Sequence, residues 1–113
     1  MSTLEDIVSE KLRALLQQPI RNRNQRQDVL DLAVIVQANP ALNRDQIGAF
    51  LLIKSSARGI VAPKSAFLDP EIARRAKIDY EALEMTTRTV FIPFEEALAI
   101  VLALVYELPI PEK

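Results

Sequence analysis

The sequence has 113 residues, of which 50% are apolar and 26% are charged, and its formal net charge is −1. This length and composition predict one small globular domain over residues 1–113 and exclude disordered and fibrous proteins. The chain has no Cys, His or Trp and two Gly. Thiol and imidazole catalysis, zinc sites built on those ligands and glycine-rich phosphate loops are therefore excluded.

The first two predicted helices flank a polar connection. A Ser-Thr pair followed three residues later by Glu-Asp matches a capping box, and apolar residues recur at helical spacing over residues 4–18. Pro19 ends this helix, and residues 20–26 form the connection. The second helix, residues 27–38, is apolar nearly all round after its first turn, so we predict that it is the central, buried helix.

The third helix is predicted over residues 44–56, because Asn43 can cap its start and Gly59 follows its end. Its predicted apolar face consists of Ile47, Phe50, Leu51 and Ile53. Residues 60–69 are predicted to be a connection.

Two short helical segments and a longer helix complete the chain. Pro70 at a first helical position predicts a helix over residues 70–77, and Asp79 is predicted to cap one further turn. Residues 86–92 have a strand-like composition but no partner strand, so we predict an extended connection. The last helix is predicted over residues 94–108. The sum is an all-α fold, a compact bundle of about five helices with one extended connection before the last helix.

Lys11 fits a plain bundle least well, because it falls inside the apolar arc of the first helix between Ile7 and Leu15. Desolvating an ammonium is costly, so the amine either snorkels past the helix edge or meets a specific anion. Asp28 suits the first turn of the second helix, whereas Asp31, one turn on, is explained less well by the helix dipole. A salt bridge from Lys11 to one aspartate would account for both helices. A site that binds phosphate through Lys11 and activates a hydroxyl through an aspartate would do the same.

Charge is distributed unevenly along the chain, with a net of +3 over residues 1–64 and −4 over residues 65–113. Five basic residues occur with no acid among them: Lys11, Arg13, Arg21, Arg23 and Arg26. Such a patch either holds phosphate or an acidic partner, or is a solvated loop. A free-standing nucleic-acid-binding protein would show a larger basic excess.

Two segments of the sequence resemble a known family. Residues 4–17, LEDIVSEKLRALLQ, and residues 26–32, RQDVLDL, resemble the second half of the AbiEii-type nucleotidyltransferase toxins of abortive-infection and toxin–antitoxin systems. The family pattern there is an EK-L-R-A-L helix, a basic loop and an R-x-D-x-x-D-L helix within a C-terminal helical bundle. Residues 67–97 resemble the tail of those proteins more loosely.

This resemblance implies roles for individual residues. Lys11 matches the lysine that contacts the nucleotide phosphates, and Asp28 matches the acid that assists the acceptor or the lysine. Asp31 matches the second acid of that helix. The residues implied to bind phosphate in the loop are Arg21, Arg23 and Arg26.

The sequence departs from the family at the metal site. Enzymes of this fold hold their metal through a Gly-Ser motif and an Asp-x-Asp pair on an N-terminal α/β half. Here Gly48 and Gly59 are followed by Ala49 and Ile60, and no two aspartates lie two positions apart. We therefore predict no metal ligands and no cofactor for this chain alone, and Mg-nucleotide only where a partner completes the site.

Two functions stay open at this point. In the first, the chain is the helical, nucleotide- or acceptor-facing half of an AbiEii-like enzyme, split, truncated or a remnant, and inactive without a separate chain that carries the metal motifs. In the second, it is a non-catalytic module that self-associates or binds another protein, and Lys11 and Asp28 form an internal ion pair. An independent enzyme that uses Glu95 and Glu96 is disfavoured, because adjacent helical residues point about 100° apart.

Partners and location follow from the same features. The expected partners are a catalytic-half or antitoxin protein, or further copies of the chain, and binding to nucleic acid is left open. The longest apolar run has ten residues, half of the roughly 20 needed to span a bilayer, and the N-terminus is acidic, unlike a secretory leader. We expect a cytoplasmic protein without a membrane partner.

Overall fold

The computed structural model describes residues 3–18, 26–59, 62–86 and 91–112, and every regular element within them is helical. The α-helices are α1 (Leu4–Leu16), α2 (Arg26–Ala38), α3 (Arg44–Ala57), α4 (Pro70–Lys77), α5 (Leu83–Thr86) and α6 (Phe94–Glu107). Two 3₁₀-helices cover Lys64–Leu68 and Tyr80–Ala82. The predicted all-α fold is confirmed.

Side-chain caps set the start of three helices. The Oγ1 atom of Thr3 accepts a hydrogen bond of 3.1 Å from the backbone N–H of Asp6 in α1. Asn43 caps α3 and Asp69 caps α4 in the same way, with distances of 3.0 and 2.9 Å. Each cap satisfies a backbone donor that the first helical turn leaves without an internal partner.

The two N-terminal helices lie at the centre of the bundle. The helix α1 packs chiefly against α3, α2 packs chiefly against α6, and α1 and α2 contact each other. The fully buried side chains of the core include Leu12, Leu15, Leu30, Leu32, Ile47, Leu51, Leu104 and Leu108. Three apolar residues of α2 are only partly buried, namely Val34, Ile35 and Val36. The helix α2 is thus central, but it is less completely buried than the sequence predicts.

The segment after α6 closes the bundle. Leu108 and Ile110 are buried, and the backbone carbonyl of Pro111 accepts a hydrogen bond of 2.7 Å from the N–H of Lys64. This contact joins the chain end to the first 3₁₀-helix. The predicted connection over residues 60–69 therefore contains a helical segment that was not expected.

The buried face of α3 differs from the prediction at Ile53, which is 66% exposed. Ile53 follows Ile47 by six residues, which places it about 240° further around a helix of 3.6 residues per turn. That position is on the outer side, and the inner side is completed by the small residues Gly48 and Ser55.

The region around Asp79 also departs from expectation. Asp79 makes no side-chain capping hydrogen bond, and its backbone is left-handed with φ of 57°. Aspartate tolerates this conformation better than most residues, so Asp79 turns the chain rather than capping the following 3₁₀-helix. Of the predicted extended connection over residues 86–92, residues 87–90 lie outside the described part of the chain.

Candidate functional site

An ion cluster joins α1 to α2. The Nζ atom of Lys11 lies 3.2 Å from Oδ1 of Asp28 and 3.0 Å from Oδ2 of Asp31. The two aspartates are three residues apart on α2, so their carboxylates share one helix face and meet the same ammonium. The structure thus brings together the three residues predicted as catalytic, and they are named the Lys11 cluster below.

The Lys11 cluster lies at the edge of the core rather than inside it. The side chains of Lys11, Asp28 and Asp31 are 24%, 17% and 35% exposed. The buried arc of α1 is narrower than its apolar pattern predicts, because Leu4 and Ile7 are themselves exposed by 40% and 36%. Lys11 therefore borders solvent on one side and its ammonium is paired on the other.

The two aspartates use their oxygen atoms differently. Both oxygens of Asp31 are occupied, since Oδ2 accepts from Lys11 and Oδ1 accepts a hydrogen bond of 2.9 Å from Nε2 of Gln27. Asp28 accepts from Lys11 through Oδ1, and within the described residues nothing donates to its Oδ2. Among the described residues, Oδ2 of Asp28 is thus the carboxylate oxygen of the cluster that has no hydrogen-bond donor.

The pKa values of Lys11 and Asp28 are both raised, for different reasons. Burial alone would lower the pKa of Lys11, but the hydrogen bond to Asp31 and the charges of both aspartates outweigh it and raise that pKa. Burial raises the pKa of Asp28, and the Lys11 ammonium offsets this rise only in part. With both carboxylates ionised, the cluster carries one positive and two negative charges, a net of −1.

Arg13 is a buried cation next to this site, whereas the sequence predicts it only as part of the basic patch. Its side chain is 8% exposed and its guanidinium donates hydrogen bonds to Glu10 and Gln17 on the same helix. Because Arg13 is buried and paired, it adds nothing to an exposed basic patch. The spacing of Glu10 and Gln17, three residues before and four after, is the signal that could have predicted this pairing.

Comparison with known proteins assigns the chain to a family. The family model described as nucleotidyl transferase AbiEii toxin, type IV TA system, matches residues 1–100, a range that contains the whole Lys11 cluster. The chain belongs to the AbiEii family. No curated protein and no solved structure matches it at a significant level. The resemblance to the AbiEii family is confirmed, and its restriction to the second half of those proteins stays a prediction.

Of the three arginines predicted to bind phosphate, Arg21 and Arg23 lie outside the described residues, and Arg26 is the first residue of α2. Arg26 precedes Asp28 by two positions on that helix. The phosphate-binding role of the three arginines stays a prediction.

The described residues do not fit a magnesium site. Within them, no group of three or more Asp, Glu, His or Cys side chains is placed so that it could hold a metal ion. Mg²⁺ takes oxygen ligands, and each of the carboxylates of Asp28 and Asp31 has one oxygen on the Lys11 ammonium. A metal ion held by both carboxylates would lie next to this ammonium, whose charge repels it.

A separate cavity of about 590 Å³ lies between the end of α4 and the start of α6, and none of the predicted site residues that the structure describes lines it. Among the described residues, its charged lining consists of Lys77, Asp79, Glu81, Glu84 and Glu95. Four carboxylates and one ammonium repel phosphate, so this cavity is unsuited to a nucleoside triphosphate.

No described helix is both long and apolar enough to cross a bilayer.

Proposed function

We propose that this chain is the helical, nucleotide- or acceptor-facing half of an AbiEii nucleotidyltransferase and is inactive until a separate chain supplies the Gly-Ser and Asp-x-Asp metal site. One observation carries this proposal: α1 and α2 bring the carboxylates of Asp28 and Asp31 within 3.2 Å of the Lys11 ammonium. The family match over residues 1–100 supports it.

Each residue has a distinct role in the proposed reaction. Lys11 neutralises the nucleotide triphosphate, since its raised pKa keeps it protonated over the whole physiological range. Asp28 orients the acceptor hydroxyl through its available Oδ2 atom, and the raised pKa of this carboxyl favours proton uptake. The loop residues proposed to hold phosphate are Arg21, Arg23 and Arg26.

A second candidate function is a non-catalytic interaction module. It is favoured by one observation, that the Lys11 ammonium already has two carboxylate partners in the chain alone, as an ion pair between two helices would have. In that function the cluster holds α1 to α2, and the partner is an antitoxin protein or a second copy of the chain. Both candidate functions place the protein in the cytoplasm.

Co-expression with a metal-binding AbiEii half tests the first function. The chain is produced with and without a second chain carrying Gly-Ser and Asp-x-Asp, and transfer of radiolabel from α-labelled Mg-nucleoside triphosphates to RNA or protein is measured. We expect transfer only from the pair. Lys11→Met and Asp28→Asn should each lower the rate at least about tenfold, because each removes a group that acts in the transition state.

Lys54→Met is the matched control. Lys54 also pairs with two acids, Asp6 at 2.8 Å and Glu10 at 3.3 Å, and its side chain is 27% exposed, close to the 24% of Lys11. This variant loses the same charge and the same kind of ion pair without changing Lys11 or its two aspartates, and it should keep transfer activity. An active pair that tolerates Lys11→Met as well as it tolerates Lys54→Met would refute the catalytic role and favour the interaction module.

A further inference from the structure

We propose that Asp31 is an autoinhibitory carboxylate, which holds Lys11 closed to phosphate until a cation displaces it. This inference rests on the proposed function, because it concerns access to the same lysine. It goes beyond that function by giving the two aspartates opposite tasks. Asp28 serves the acceptor, and Asp31 controls whether the phosphate site is open.

The charge of the Lys11 cluster supports the proposal that Lys11 is closed to phosphate. Among the described side chains, a phosphate group that approaches Lys11 meets one ammonium and the two carboxylates that lie within 3.2 Å of it, and these carboxylates repel the anion. Lys11 is 24% exposed and therefore within reach of a ligand. The lysine is accessible, but its positive charge is already neutralised within the chain.

The hydrogen bonds assign the closing role to Asp31 rather than to Asp28. Gln27 donates to Oδ1 of Asp31 at 2.9 Å and holds the carboxylate with its other oxygen on Lys11. Asp31 is also the more exposed of the pair, at 35% against 17% for Asp28, so moving it to another partner costs less desolvation. In the proposed assembly, a cation on the completing chain takes over Asp31 and releases Lys11.

Binding of inorganic tripolyphosphate to the chain alone tests this proposal. Titration calorimetry at low ionic strength is carried out on the wild type, Asp31→Asn and the double variant Lys11→Met/Asp31→Asn. We expect Asp31→Asn to bind at least about tenfold more tightly than the wild type, since one repelling charge is gone. The double variant should return to the weak binding of the wild type.

Glu84→Gln is the control for net charge, because Glu84 is exposed and lines the separate cavity rather than the Lys11 cluster. It changes the net charge equally and should alter tripolyphosphate affinity by no more than about twofold, an effect of long-range charge alone. Gln27→Ala loosens Asp31 without touching Lys11 and should also tighten binding, by a smaller factor. It keeps the test valid if Asp31→Asn unfolds.

Three results would overturn the autoinhibitory role: no gain in Asp31→Asn and Gln27→Ala, an equal gain in Glu84→Gln, or a gain that survives loss of Lys11. The two-chain transfer assay tests the proposed function separately from autoinhibition. If the two-chain enzyme needs Lys11 but Asp31→Asn gains nothing, only autoinhibition fails. If Asp31→Asn gains affinity through Lys11 while the two-chain mixture stays inactive, only the transferase function fails.

Discussion

Gly48 on α3 lies directly against Pro109, so closely that a Cβ atom on Gly48 would come within 2.6 Å of the Pro109 Cδ atom. The proline follows the buried Leu108 and begins the segment that closes the bundle. A glycine is required at position 48 by this close approach of a neighbouring ring, rather than by its backbone conformation.

Gly48→Ala should destabilise the fold in spite of a better helix propensity. Alanine gains about 1 kcal/mol over glycine within a helix. Overpacking a filled contact costs about 1–3 kcal/mol, so the net effect is a loss of up to about 2 kcal/mol. Urea unfolding followed by circular dichroism measures it. In a Pro109→Ala background the ring is gone and Gly48→Ala should become stabilising; a loss of equal size there would contradict this account.

Lys11→Met should lower the free energy of unfolding by about 1–3 kcal/mol, because it leaves the partly buried carboxylates of Asp28 and Asp31 without their cation. Chemical denaturation at neutral pH gives the value. Lys54→Met serves for comparison and should cost less, since Glu10 keeps its ion pair with Arg13. A Lys11→Met protein as stable as the wild type would show that Lys11 only snorkels past the helix edge.

The sequence predicts which residues form the Lys11 cluster better than it predicts how the helices around the cluster pack. From the spacing of Asp28 and Asp31 on one helix, and an unexplained lysine on another, the sequence predicts a salt bridge between the two helices as one of several alternatives. That Lys11 contacts both aspartates depends on how α1 and α2 pack, which periodicity does not specify. The same limit explains why the apolar arc of α1 is narrower than predicted: within the described part of the chain, no neighbouring helix covers Leu4 and Ile7 fully.

Local signals predict the structure well where one residue alone decides it. The caps Thr3 and Asn43 accept the hydrogen bonds that their sequence positions predict. Asp79 is a residue type that often caps helices, but here it turns the chain instead, because its own backbone is left-handed. Such a turn is selected by the packing of the segments on either side, and a single sequence does not contain that information.

Tyr80→Phe should make the free energy of unfolding depend less on pH in the alkaline range. Burial raises the pKa of Tyr80 from 10.0 to about 12, so the neutral phenol contributes stability that is complete below about pH 10 and is lost as the pH rises through about 12. At neutral pH the variant should lose about 1–2 kcal/mol, because the Tyr80 hydroxyl donates a hydrogen bond of 2.7 Å to the carbonyl of Ile92.

Thermal unfolding of Tyr80→Phe from about pH 8 to about pH 12 checks both parts of this prediction. Tyr106→Phe is the control, because that tyrosine is 76% exposed and its removal should leave the alkaline slope unchanged. A wild-type slope retained in Tyr80→Phe would mean that another group, such as Lys11, causes the alkaline loss.

Asp28→Asn should stabilise the fold at neutral pH, and in the proposed two-chain enzyme it should lower the rate of transfer at least about tenfold. Burial raises the pKa of Asp28, so the folded chain favours its protonated form. The stability from this group is complete below the unfolded value of 3.8 and is lost as the pH rises through the higher folded pKa. The neutral amide avoids that loss, as expected where a carboxylate is kept for function rather than for stability.

Denaturation midpoints of Asp28→Asn and the wild type from about pH 3 to pH 7 measure this effect, and the advantage of the variant should grow as the pH rises. Glu71→Gln gives the opposite sign: hydrogen bonds from Arg74 and Arg75 lower the pKa of Glu71 from 4.5 to about 2. The stability from Glu71 is therefore present above about pH 4.5, and its removal should be felt at neutral pH and not in acid. If Asp28→Asn instead destabilises at pH 7 in the manner of Glu71→Gln, the Asp28 carboxylate is held by its ion pair, and the interaction module becomes the better account of the Lys11 cluster.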